Sequence, residues 1–307
     1  MSLQQARRLP VVQKYSGHET FPFRYPWMNK IADGVSQKKA PISFRDHDRA
    51  MVEFGVGKNM VQSMQHWGKA LGVLEPEGDR LTAFGNLIFP SKKGLDPYLE
   101  DPNTIWLLHW KLARNDSQAT TWWWVFNRFD GGWFTRKQLF EQFNAALTFQ
   151  DKSIARKTLE KDIQVFIQSY VGGLKPGVVK EDTLDCPLTE LMLIRSVKTS
   201  DGRFQFVHGE QQSLSHAIFT YALVEYLESR VGESLTGTVS FEELWNGENS
   251  PGRVFRLSER SLLRRLAKVT KTERGLRFDE TAGLKQLTVS GALPDKEELL
   301  VKQFSQS

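Results

Sequence analysis

Apolar and polar positions along the chain repeat one arrangement three times: a short helix, a longer helix, then two short runs flanking a turn. In the first copy, residues 43–89, Asp46 is placed to cap a short helix through Phe54, Gly55 and Gly57 supply a turn, and a second helix runs from Lys58 to about Leu71. Met60, Met64, Trp67 and Leu71 recur at i, i+4, i+7 and i+11, so they share one stripe and are predicted to be buried. The other face carries Lys58, Asn59, Gln62, Ser63, Gln65, His66 and Lys69. Gly72 ends the helix, and residues 74–81, with Pro76 and Gly78 near the tip, read as a small wing.

The middle copy predicts helices over residues 134–147 and 153–170, the second with Leu159, Ile163, Phe166 and Tyr170 on its inner stripe. A Gly/Pro-rich connector over 172–177 follows. Residues 191–197 are then expected to pair with 203–207 across the turn Thr199-Ser200-Asp201-Gly202. A helix over 213–230 joins this copy to the third, over 239–289. There Ser258 caps a helix to about Lys271 with Leu262, Leu266 and Val269 inside, and 276–279 and 284–289 flank Thr281-Ala282-Gly283.

The predicted fold class is therefore mainly α with small β wings, in tandem winged helix-turn-helix-like units. The predicted domains are a basic arm with an N-terminal winged helix (1–90), a Trp-rich helical connector (91–133), a middle unit (134–232), a basic C-terminal unit (233–290) and a loosely attached tail (291–307). The connector holds six of the nine tryptophans. Asp101-Pro102 announces a helix from Pro102 to Arg114 on which Trp106 and Trp110 lie at i, i+4. A base-stacking platform needs exposed rings, whereas this spacing favours core packing.

Composition narrows the class. The 307 residues are 40% hydrophobic and 25% charged, which suits a soluble globular protein of more than one domain. A single cysteine, Cys186, argues against a disulfide scaffold or a cysteine-rich zinc site and suits a reducing cytoplasm. No apolar run suggests an export signal or a membrane span. The net charge of +5 is unevenly placed. Residues 1–40 hold seven basic residues and two acids, and residues 251–277 hold nine and two, so the rest of the chain is net negative. Such segregated cations are the footprint of a nucleic-acid partner, because each phosphate contact releases condensed counterions. In the first copy Asn59, Gln62, Gln65 and His66 are suited to base edges and Lys58 and Lys69 to phosphates. In the last, Arg253, Arg256, Arg260, Arg264 and Lys268 suit the DNA backbone.

For chemistry, no Asp…Glu-x-Lys nuclease set is evident. His109, Lys111 and Asp116 have the spacing of a phospholipase D-type motif, but the single copy sits on a predicted helix where that motif expects a strand, so the match is read as chance. The segment from Ser16 to Trp27 is denser in functional groups. His18 is placed to act as general base, Glu19 as base or metal ligand, and Arg24 to hold a phosphate. The alternative, preferred on the sequence alone, is a packed arm whose His and Glu satisfy buried backbone.

These residues also carry a resemblance. Gly17-His18-Glu19-Thr20-Phe21-Pro22-Phe23-Arg24, Gly55-Val56-Gly57-Lys58-Asn59-Met60-Val61, Leu184-Asp185-Cys186-Pro187-Leu188, Pro251-Gly252-Arg253-Val254-Phe255-Arg256-Leu257 and Asp279-Glu280-Thr281-Ala282-Gly283-Leu284 resemble the SspB family of bacterial DNA phosphorothioation-associated proteins, long called a domain of unknown function. The resemblance spans about residues 15–289. It implies binding to double-stranded DNA and nicking that opens the backbone for sulfur insertion, with Mg²⁺ or Mn²⁺ and no organic cofactor. The implied partners are a cysteine desulfurase, an ATPase and a sulfurtransferase resembling phosphoadenosine-phosphosulfate reductase; a homodimer is left open. It carries over no catalytic residue, so His18 and Glu19 rest on their own chemistry. A non-catalytic DNA-binding adaptor and a transcriptional regulator are the alternative functions.

Overall fold

The structure, a computed structural model, describes residues 9–37, 39–171, 186–197, 202–232, 236–281 and 283–305. The expected 172–177 connector, most of the 199–202 turn and Ala282 lie outside them. The chain divides into two compact units, residues 1–100 with 111–206 and residues 101–110 with 207–307. The fold is mainly α with two small antiparallel sheets.

The first unit opens with α1 (Pro26–Val35), α2 (His47–Phe54) and α3 (Lys58–Ala70). The Asp46 side chain accepts from the Arg49 N–H to start α2, and Gly55, at φ 64°, closes it in the left-handed conformation. The buried stripe of α3 is Val61, Met64 and Trp67, continued by Leu71; Met60, in the first turn, is only half-buried. The expected wing is reduced to one antiparallel bridge between Leu74 and Leu81 before α4 (Ala83–Ile88). Helix α5 (Pro102–Arg114) has the predicted bounds, and its residues 111–114 belong to this unit. Then come α6 (Thr120–Asn127), β1 (Trp133–Phe134), α7 (Arg136–Thr148), α8 (Arg156–Val171), a 3₁₀ turn (Pro187–Leu191), β2 (Ile194–Val197) and β3 (Arg203–Phe206). A reciprocal Thr135/Gln138 capping box starts α7. The expected β2–β3 hairpin is present, and β1 joins it to give the order β1-β3-β2.

Packing in this unit is aromatic. Trp67 meets Trp122 edge-on at 5.2 Å, and Trp124 stacks flat on Phe143 at 4.5 Å. Trp122, Trp123 and Trp124 are all buried.

The second unit is built on α9 (His216–Val231), buried along most of its length. Around it lie β4 (Thr236–Ser240), α10 (Phe241–Asn246), α11 (Pro251–Val254), α12 (Glu259–Thr272), β5 (Leu276–Thr281), β6 (Leu284–Ser290) and α13 (Lys296–Phe304). Trp106 and Trp110 from α5 pack on Phe255, with Trp106 Nε1 donating to Ser213 Oγ at 3.0 Å and Trp110 Nε1 to Glu225 Oε2 at 2.8 Å. The sheet order is β4-β6-β5, so each unit contains the succession strand, helices, strand, strand, with the first strand paired to the last. The loosely attached tail is corrected: α13 is capped by Asp295, buries Leu300 and pairs Lys296 with Glu228 at 2.6 Å.

Candidate nucleic-acid interface and histidine cluster

Helix α12 has two contrasting faces. Leu262, Leu266 and Val269 are buried, whereas Arg260, Arg264, Lys268 and Lys271 are exposed on successive turns, continued by exposed Arg274. Ser258 Oγ accepts from the Ser261 N–H at 3.2 Å and fixes the helix start. Arg264 pairs with Glu210 at 3.0 Å, an exposed contact that water screens and a phosphate can displace. The buried side of α12 is anchored by Arg265, whose guanidinium donates to the carbonyls of Glu210, Gln211 and Leu214 at 3.0 Å each.

Arg253 and Arg256 do not share this surface. They are only 9% and 6% exposed, because α11 is buried throughout. Arg253 Nη1 donates to the Asn246 carbonyl at 3.2 Å, and the Arg256 carbonyl accepts from the Gly209 N–H at 3.1 Å. Their placement holds loops together.

On α3, Lys58 and Asn59 are exposed, and Gln62, Gln65 and Lys69 are partly so. Ser63 and His66, expected on that polar face, are turned inward: Ser63 Oγ donates to the His18 carbonyl at 2.9 Å, and the His66 ring lies 6.0 Å from the His18 ring. Arg24 is partly exposed, with its guanidinium over Phe21 and Trp27.

The segment around His18 is wound tightly, with Ser16, Glu19 and Thr20 all at positive φ. His18 is 1% exposed. The Thr20 N–H donates to its Nδ1 at 3.1 Å, so the ring proton sits on Nε2, which donates to Asp162 Oδ1 at 3.0 Å. Asp162 also accepts from the Ser16 N–H at 2.7 Å and from Thr121 Oγ1 at 2.9 Å. Both His18 nitrogens are thus engaged inside the protein, leaving neither to take a proton from a substrate; Glu19, beside it, is partly exposed. Asp162 escaped the sequence reading, although a carboxylate on the inner stripe of α8 beside Ile163 was the available signal.

Neither ring nitrogen of His66 has a hydrogen-bond partner. Burial, reinforced by His18, Lys14 and Lys69, pushes its pKa down to about 3. His109 is fully buried, binds the Val254 carbonyl through Nε2 at 2.9 Å, and is pushed down to about 4 chiefly by burial. Its position on α5 accords with the chance reading of the phosphodiesterase spacing. Among the described residues, no three His, Cys, Asp or Glu side chains converge to hold a metal ion, and no helix is long and apolar enough to cross a membrane.

The sequence profile of a family described as a protein of unknown function, DUF4007, matches residues 15–304. The chain belongs to the DUF4007 family. Two solved structures are similar to this DUF4007 member. A magnesium ion-bound SspB crystal structure aligns with TM-score 0.83 and 28% identity over 99% of this chain and 91% of the other. A second SspB crystal structure aligns with TM-score 0.81 and 28% identity over 98% and 90%. No curated protein matches the chain.

Proposed function

We propose that this DUF4007 protein is a double-stranded DNA-binding component of a bacterial phosphorothioation system. The observation that carries the reading is α12, a capped helix with an apolar inner face and an exposed row of Arg260, Arg264, Lys268 and Lys271. A rigid helix holding cations on successive turns meets a phosphate backbone at little ordering cost. The strand, helices, strand, strand succession supports winged-helix units at β1–β3 and β4–β6, and the exposed Lys58 and Asn59 with Gln62 on α3, outside both, support base reading there. Likeness to SspB over nearly the whole chain supports the system, with the cysteine desulfurase, ATPase and sulfurtransferase as partners. Fluorescence anisotropy with a labelled duplex tests the reading; failure to bind at low salt overturns it.

Strand nicking in the presence of Mg²⁺ or Mn²⁺ is the second reading, favoured by the likeness to a magnesium-bound SspB. Conversion of supercoiled plasmid to the open circle by wild type, suppressed by EDTA, supports it. Intact plasmid with pure protein and its operon partners leaves the adaptor reading.

A further inference from the structure

Of the nine tryptophans, Trp133 alone is exposed, at 49%; seven are buried and Trp245 is partly covered. Trp133 lies on β1, an edge of the β1-β3-β2 sheet. The inner face of that sheet is apolar, with Phe134, Phe204, Phe206 and Ile194 buried. The outer face is different. Trp133 stands opposite Gln205, which stands opposite Arg195, and the Arg203 guanidinium lies 4.4 Å from the Trp133 ring centroid. Arg195 Nε and Nη2 donate to Gln205 Oε1 at 3.1 and 2.7 Å, which fixes both side chains and leaves the Gln205 amide N–H groups directed away from that bond. The three strands contain two arginines and no carboxylate.

We infer that this outer face is a stacking site for an unpaired nucleotide of single-stranded DNA. The half-exposed indole carries a planar guanidinium stacked over one face, so its remaining π surface lies next to positive charge, which matches a base joined to a phosphate. Within a duplex both faces of each base are covered by its neighbours, so the ligand is a strand whose bases are unstacked, such as the strand at a nick or an opened end. A protein partner would also value an exposed tryptophan, but the two arginines on the same face of the sheet, Arg195 and Arg203, favour a polyanion. The inference rests on the DNA-binding reading above and adds a second surface with a distinct substrate.

The test uses the full chain with fluorescein-labelled oligothymidine and, separately, a blunt duplex. Trp133→Ala is expected to weaken oligothymidine binding roughly 5- to 150-fold, the range for loss of one stacked base, and to leave duplex binding unchanged. Trp133→Phe falls between. The combined Arg260→Ala, Arg264→Ala and Lys268→Ala variant weakens duplex binding while the contribution of Trp133 to oligothymidine binding persists. Because Trp133 alone among the tryptophans is exposed, oligothymidine also shields the acrylamide-accessible fluorescence of wild type, and this effect disappears in Trp133→Phe. Equal oligothymidine affinity for wild type and Trp133→Ala overturns the inference, as does an indole that stays open to acrylamide at saturation, which assigns the face to a protein. Wild type that binds duplex but not oligothymidine overturns this inference alone; binding to neither overturns the DNA reading as well.

Discussion

His18 Nε2 donates to Asp162 Oδ1 across 3.0 Å, joining positions 144 residues apart. The contact ties the wound segment before α1 to α8, and the carboxylate is shared with the Ser16 N–H and the Thr121 hydroxyl. Asp162→Ala leaves these donors buried and unpaired and is expected to destabilise the first unit by about 3–5 kcal/mol. In urea unfolding, His18→Ala combined with Asp162→Ala costs less than the sum of the two, because the residues share one bond. An additive result shows that the bond contributes nothing of its own.

Acid lability follows from His66 and His109. Their folded pKa values, about 3 and about 4, lie below the unfolded value of 6.5, so the unfolded chain binds more protons in between. Their stabilising contribution is present in full above pH 6.5 and is lost as pH falls towards those folded values. Each contributes a slope of up to about 1.4 kcal/mol per pH unit. His66→Phe is expected to keep stability near neutral pH within about 1 kcal/mol, since neither nitrogen makes a hydrogen bond, and to flatten the acid limb. Denaturation midpoints across this range check it; an unchanged slope removes His66 from the account.

Salt dependence tests α12. Replacing Arg260, Arg264 and Lys268 with Ala is expected to weaken duplex binding alike for all sequences and to reduce the slope of log affinity against log salt by about 3. The melting temperature stays close to that of wild type, because the three side chains are exposed. An unchanged slope places the phosphate contacts elsewhere. Asn59→Ala and Gln62→Ala are instead expected to alter which sites are preferred, each by about 1–3 kcal/mol.

The C-terminal helix is expected to matter for stability. Leu300→Ala opens a cavity beneath α13 and costs the second unit about 2–4 kcal/mol in urea unfolding. An unchanged midpoint restores the loosely attached tail.

Periodicity and caps determined much of this protein. The Asp46 and Ser258 caps, the helix Pro102–Arg114, the stripe Leu159, Ile163, Phe166 and Tyr170, and the β2–β3 hairpin are all legible because each depends on residues close in the chain. The added strands β1 and β4 were not, since two residues, or a polar Thr-Gly-Thr-Val-Ser run, carry no clear alternation and form only when β3 or β6 supplies hydrogen bonds. Tertiary structure alone decided which functional groups meet water. His66 lies on a polar stretch of α3, yet Gly17 packs against its ring so closely that an added Cβ would fall 2.5 Å from Nδ1. Arg253 and Arg256 belong to a basic run but are enclosed with α11, and Trp133 faces outward although the adjacent Phe134 is buried. Local pattern sets which residues form an element, whereas burial depends on what distant chain is packed over it, as Asp162 is over His18.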